Sequence, residues 1–509
     1  MRWIRGTPVR VHSKGMRQAL LAVLVLGCST FSTDPNAPGG SGSSGGVPVT
    51  RNLRVTVDWP TKGVLDPLAD PRAAEIHLVV SDAADPTKRG EQTFDKTNRG
   101  PFDVTGFTSG DRVDVVVEIL AAGSKRLVGY AEARRSDVTR TTEIAVAARK
   151  RVLYVINADR GPEQISVIDL APPDHAELGM ELLTGANDIA DVPNAQDLVL
   201  TADARLLAVA GSTTSTDGDL TLYSTSTDDV TKTIPIGMWA SRLVTLDGHE
   251  VLAFPRAEAK SDSFVRVNLD TGKTTPIGSG LMGGTVDVWS AIIAPDGKRV
   301  VAAGSYSTSS VQAKAFLFVH DIDAGTTTAV EVPGNDAATG ARFTPDGKKL
   351  VVVAFSCENG GTCSGTLFLD DGTSTSVEGT APLGDPGKAK PIGVVVSPDG
   401  RRAFVSTDPI YQMTDSCCGD FYTVNIPDAR VAATFPPIAP SLEYQIGSAL
   451  LLPYGNPRRA IAGMTDPGND LHGAIVELVD SDRPAEITER DLPAFGTVRA
   501  MATPFGSPL

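Results

Sequence analysis

The sequence predicts an all-β chain: a small N-terminal β-sandwich followed by a larger closed ring of repeated four-stranded units. Three observations predict it. Apolar and polar residues alternate over short runs in the first hundred residues of the folded part, a Pro-Asp-Gly turn returns at near-regular spacing afterwards, and no long segment carries the 3.6-residue period of an amphipathic helix. Length agrees, since 509 residues exceed what one small core organises and require several domains or a repeat array. With 50 Gly, 35 Pro and 41% hydrophobic residues, the composition is turn-rich but still globular.

The first 27 residues read as an export signal. Arg2, Arg5, Arg10, Lys14 and Arg17 precede an apolar run from Ala19 to Leu26, with no acidic residue before Cys28. That run is too short to span a bilayer, which takes about 20 apolar residues, and no later segment approaches that length, so no integral membrane domain is expected. Leu24-Val25-Leu26-Gly27-Cys28 resembles the bacterial lipoprotein cleavage box, in which the cysteine becomes the lipidated first residue. The resemblance implies a lipid anchor at Cys28, with Ser29 favouring the outer membrane of a bacterial envelope, on its periplasmic or surface side. Loss of five basic residues moves the net charge from −15 to −20. An acidic product disfavours nucleic acid as a partner.

Residues 28–50 are small and polar and read as a flexible tether. A Gly-x-Ser-x-Gly match at Gly42, Ser44 and Gly46 falls inside it, without the strand and helix that turn such a serine into a nucleophile. Residues 51–147 follow with period-two runs, Leu53-Val55-Val57, Ile76-Leu78-Val80 and Val113-Val115-Val117-Ile119, separated by turn clusters. They predict a sandwich of about seven strands. Phe102 to Phe107, with Gly110 and the long strand after it, resembles the immunoglobulin-like or prealbumin-like accessory domains of exported bacterial proteins.

Residues 148–509 carry the repeat. Pro295-Asp296-Gly297, Pro345-Asp346-Gly347 and Pro398-Asp399-Gly400 are its clearest turns, with weaker copies at Asp203, Asp247, Tyr454 and Phe505. Counted from Ala148, the Asp column advances in seven steps of 44 to 55 residues. The first unit, Val152 to Asn157, lacks an innermost strand, while the last copy, near the C-terminus, lacks the strand that should follow. Each end supplies what the other lacks, so the array is expected to close as a seven-bladed β-propeller, which leaves no long open edge.

Leu153-Tyr154-Val155-Ile156-Asn157, then Ile165-Ser166-Val167-Ile168-Asp169, resembles the YVTN-type propeller repeat, and the Pro-Asp-Gly turns are similar to those of the Tol-system propeller. The likeness covers residues 149–509. That family includes lactonase-like enzymes and many binding proteins, so it implies a fold more than an activity.

In such a ring the Pro-Asp-Gly turns share one face, and the loops between second and third strands share the other. Those second loops, 211–219, 255–263, 304–315, 356–365, 406–420 and 464–473, are the longer set, and binding is expected there. Aligning the inner strands on the Asp column places Asp197, Ser241, Ser290, Gly340, Gly393, Ser448 and Arg499 in one row at the channel mouth. Asp197 and Arg499 would be neighbours if the ring closes, and Trp239 and Trp289 would flank the same mouth.

No His-Glu-x-x-His or Cys-x-x-Cys is present, so no zinc site is expected. Asp217-Gly218-Asp219 and the segment from Asp466 to Asp470 could offer calcium carboxylate oxygens, but neither is a complete ligand loop; otherwise no cofactor is expected. Four cysteines remain after Cys28. Cys357 and Cys363 bracket a hairpin tip and are expected to pair, with Cys417 and Cys418 as a possible second pair. These features make a monomeric envelope lipoprotein that binds protein or glycan without catalysis the leading expectation, and a lactonase-like hydrolase acting on a lactone or sugar acid the alternative.

Overall fold

The computed structural model describes residues 50–508 apart from a set of loop segments, the longest being 170–180, 183–191, 410–420, 436–444, 466–473 and 479–486. Cys28, the tether, Cys417, Cys418, the acidic segment 466–470 and most tips of the long loops lie outside the described residues. Among the described residues the chain is β throughout except for one turn of 3-10 helix, Pro67–Ala69, and no helix is long and apolar enough to cross a membrane.

Two sheets built from residues 50–150 face a common core. One holds three strands, Phe102–Thr108, Thr50–Asp58 and Glu143–Ala147; the other holds five, in the order Arg89–Asp95, Ala73–Asp82, Arg112–Ala121, Leu127–Asp137 and Arg149–Lys150. The alternation explains them. In Arg112–Ala121 the residues Val113, Val115, Val117 and Ile119 are fully buried, whereas Asp114, Val116 and Glu118 retain solvent access. Their inward faces meet Leu53, Val55, Ile76 and Phe102 from the other strands in one apolar cluster.

The remaining described strands form seven antiparallel sheets, numbered here in chain order. Sheet 1 contains Val152–Asn157, sheet 2 starts at Asp197–Leu200, sheet 3 at Ala240–Thr245, sheet 4 at Thr285–Ile293, sheet 5 at Ala337–Phe343, sheet 6 at Ala389–Val396 and sheet 7 at Gln445–Leu452. The arrangement is that of a propeller. Sheets 2 to 6 each run 1-2-3-4 in sequence order. In the first hairpin of sheets 4, 5 and 6 the glycine of Pro-Asp-Gly takes φ of 70°, 68° and 69°, a region that a Cβ disfavours. In sheet 2 the same place is held by Ala204, at φ 56°.

The second strands of sheets 2 to 5 do not alternate, because both of their faces are covered. In Leu350–Cys357, Leu350 and Val352 pack with sheet 4, while Val351 and Val353 pack with sheet 6. The run Leu-Val-Val-Val-Ala-Phe is therefore apolar throughout, and each fully buried Val or Leu contributes about 1.5–3 kcal/mol. Phe254, Phe264 and Phe318 fill the gap between sheets 3 and 4, with ring centroids 4.8 and 5.5 Å apart.

Sheet 1 takes its innermost strand from the far end of the chain. Val498–Ala502 runs antiparallel to Val152–Asn157, with Met501 opposite Val155 and Ala502 opposite Tyr154. The first strands of sheets 2 to 7 and Val498–Ala502 pack each against the next, and Val498–Ala502 touches the first strands of both sheet 7 and sheet 2. These inner strands thus make a closed circuit. A feature not read from the sequence is the two-residue strand Ser507–Pro508, which returns to pair with Leu450 and Leu451 of sheet 7.

Residues 50–150 contact sheets 1 and 2. Leu65 leaves the sandwich to join a cluster with Tyr154, Ile156 and Leu207 of sheets 1 and 2. Arg149, 1% exposed, donates to Thr225 Oγ1 of sheet 2 at 2.7 Å, to Asp58 O at 3.0 Å and to Ala148 O at 2.7 Å.

Candidate functional site

Six of the seven inner strands carry a bulge at the same place. The register slips between Ala240 and Arg242, Val288 and Ser290, Ala338 and Gly340, Pro391 and Gly393, Ile446 and Ser448, and Val498 and Ala500. A bulge bends its strand and re-aims the side chains beside it. Near the bulges, side chains bond across the junction to a neighbouring sheet. Ser241 Oγ donates to Val288 O at 2.7 Å, Arg242 Nε to Trp289 O at 2.7 Å, Arg342 Nη1 to Ser290 Oγ at 2.7 Å and Thr339 Oγ1 to Pro391 O at 2.7 Å.

This register corrects the row read from the sequence. Residues opposite equivalent positions of the second strands are Asp197, Arg242, Ser290, Gly340, Gly393, Ser448 and Ala500. Ser241 and Arg499 are the bulged residues one step earlier. The slip in sheet 3 arises because its first turn is one residue shorter: Leu246 N reaches Glu250 O, where Ala294 N reaches Arg299 O and Thr344 N reaches Lys349 O. Arg499 stands on the inner strand of sheet 1, but its side chain lies outside the described residues. Asp197 is instead influenced by Arg242 and Arg342.

Three charged side chains, Asp197, Arg242 and Arg342, therefore converge from sheets 2, 3 and 5. Each keeps partial solvent access. Asp197 and Arg342 act on each other electrostatically although their sheets are three apart on the circuit. Asp197 Oδ1 accepts from Leu198 N at 3.0 Å and Oδ2 from Leu243 N at 2.8 Å. Burial pushes its carboxyl above the usual range, while Arg242, the two N–H groups and Arg342 oppose that shift. Arg342 is pushed down to about 10, first by burial and then by Arg242 beside it.

Trp239 and Trp289 sit toward the loop-bearing ends of inner strands 3 and 4, and each has a cation over its ring. Arg256 lies 4.7 Å from the Trp239 centroid and also donates to Gln196 Oε1 at 2.5 Å. Lys390 lies 5.7 Å from Trp289 and 5.0 Å from Phe355. Both indole Nε1 atoms are buried without a hydrogen-bond partner. The Cys357–Cys363 disulfide closes a nearby hairpin, the two cysteines standing opposite each other in sheet 5. Closing so short a loop contributes roughly 2 kcal/mol in the chain-entropy model. No group of three or more metal-ligating side chains occurs among the described residues.

On the opposite, short-turn face, His249 joins two sheets. Its Nδ1 is 2.7 Å from Asp270 Oδ1 and its Nε2 is 2.9 Å from Asp203 Oδ2. Partial burial lowers its pKa, but the two carboxylates outweigh this and raise it above the ordinary value of about 6.5. The imidazolium contribution is thus complete below that ordinary value and is lost as pH rises through the higher folded-state value. Between pH 6 and pH 9 the wild-type melting temperature should fall further than that of His249→Asn, and parallel pH profiles would show that the bridge carries no stability.

No protein-family model matches the chain, and no curated protein matches it. Solved structures do. Kuenenia stuttgartiensis hydrazine synthase aligns at 15% identity over 63% of this chain and 96% of its own, with a TM-score of 0.47. A putative 6-phosphogluconolactonase from Bacteroides uniformis aligns at 16% identity over 70% and 99%, with a TM-score of 0.45. The β-propeller domain of Myceliophteria thermophila Cps50 (Swd1) aligns at 13% identity over 60% and 88%, with a TM-score of 0.40. These three TM-scores lie below 0.5, so the fold rests on this chain's own strand pairing.

Proposed function

We propose that this chain is a lipid-anchored envelope protein whose seven sheets are the blades of one propeller, and that the propeller binds a glycan or protein at its long-loop face without catalysis. The paired indoles carry this reading. Trp239 and Trp289 are each partly exposed and combine an apolar ring with an overlying cation, a combination that serves sugar rings and peptide side chains. The export signal and Cys28 supply the address. Domain limits of 28–50 for the tether, 51–147 for the sandwich and 148–509 for the propeller belong to the same reading.

The test is binding of the mature chain to arrays of oligosaccharides and envelope proteins, repeated with Trp239→Ala and Trp289→Ala. At least a tenfold loss with unchanged melting supports the indole face, and undiminished binding by both variants contradicts it. Cys28→Ser should shift the protein from the detergent phase to the aqueous phase. The hydrolase alternative draws on one observation, the raised carboxyl of Asp197 between guanidinium groups, a property that suits general acid–base catalysis. Turnover of a lactone panel that disappears in Asp197→Asn would favour it.

A further inference from the structure

We infer that the space enclosed by the inner strands holds a binding site for a small oxyanion, a carboxylate or phosphate group on a ligand, clasped between Arg242 and Arg342. The site is separate from the loop-face reading and stands or falls without it.

Charge is the first argument. Arg242 spends its observed hydrogen bonds on two backbone carbonyls, Trp289 O and Ser241 O. Arg342 spends its own on Ser290 Oγ and Ala341 O. None of the ion pairs among the described residues joins either guanidinium to a carboxylate within 4.0 Å. Asp197, which is coupled electrostatically to both, has each oxygen engaged by a backbone N–H. Among the described residues, these two cations and one carboxylate sum to a charge of +1. Proteins rarely enclose an arginine without a partner, because burying an unpaired charge costs several kcal/mol.

Geometry is the second. Both guanidiniums converge on one short stretch of sheet 4: Arg242 bonds the carbonyl of Trp289, and Arg342 bonds the hydroxyl of the next residue, Ser290. Arg342 Nε has no partner at all. Continuing round the circuit, the positions equivalent to Asp197 and Arg242 are Ser290, Gly340, Gly393, Ser448 and Ala500. None of these five residues carries a charge that could neutralise the two arginines. Burial first and repulsion by Arg242 second depress Arg342, and a bound anion would offset both, so occupancy should return its pKa toward the ordinary arginine range. Guanidinium planes suit carboxylate and phosphate better than a halide, because they donate two parallel hydrogen bonds to paired oxygens.

The experiment is calorimetric titration of the full mature chain with inorganic phosphate, and separately with acetate, at constant ionic strength set by chloride. Saturable one-to-one binding of either is expected, weakened at least tenfold in Arg342→Gln and in Arg242→Gln; the stronger of the two titrants identifies the ligand group. Absence of saturable binding, or undiminished binding by Arg342→Gln, overturns the site. Should a variant fail to fold, wild-type crystals soaked in selenate decide the matter. An anomalous peak within hydrogen-bond reach of both guanidiniums supports the site, and no peak there contradicts it. Loss of loop-face binding in the tryptophan variants would leave these results unchanged, so the two readings fail independently.

Discussion

Replacing Arg149 with alanine is expected to destabilise the protein by about 3 kcal/mol or more, given three hydrogen bonds from a charged donor at about 1–3 kcal/mol each and partial compensation by water. The side chain is buried where the sandwich meets the ring, and its three acceptors, Thr225 Oγ1, Asp58 O and Ala148 O, come from both parts. Thr225 Oγ1 itself donates to Ala204 O at 2.6 Å, so the network continues into the first turn of sheet 2. Arg149→Met keeps the apolar stem and isolates the loss of the hydrogen bonds. In calorimetry the wild type should unfold with the two parts coupled, and Arg149→Ala should split the transition, the sandwich and the ring melting separately. A single transition at the wild-type temperature would show that Leu65 and its neighbours join the two parts unaided.

A still larger effect is expected from deleting residues 496–509. This removes Val498–Ala502, exposes the hydrogen-bonding edge of Val152–Asn157, and takes Ala500 and Ala502 out of the cluster that also holds Tyr154 and Ile156. It also removes Ser507–Pro508 from the first strand of sheet 7. An open edge beside an uncovered apolar face invites pairing between molecules, so the truncated chain should melt many degrees lower and aggregate. Deleting residues 36–46 from the tether should do neither.

The Pro-Asp-Gly turns made the repeat legible because each has a local cause, a positive-φ glycine and an Asp that accepts from the backbone two residues on, as Asp296 does from Lys298 N at 3.0 Å and Asp346 from Lys348 N at 3.1 Å. Offsets from those turns then located the inner strands. They failed where a turn lost one residue, so Ser241 was taken for Arg242. Bulges have no local signature in residues as different as Trp289, Ile392 and Gly447. Arg342 was passed over for a second reason: it stands two residues beyond the aligned row, and its coupling to Asp197 exists only once three intervening junctions have curved the sheets round. Arg149 read as the start of a strand, since nothing in its neighbours announces Thr225, 76 residues away.

Closure of the ring by the chain's two ends is the claim on which the channel, its arginines and the blade count depend. Val155 and Met501 stand opposite each other in adjacent strands, within the distance that a disulfide spans. A Val155→Cys, Met501→Cys double variant, expressed in an oxidising compartment and digested without reduction, should yield one peptide pair linked between positions 155 and 501. Recovery of both cysteines alkylated on separate peptides from folded, unaggregated protein would contradict closure.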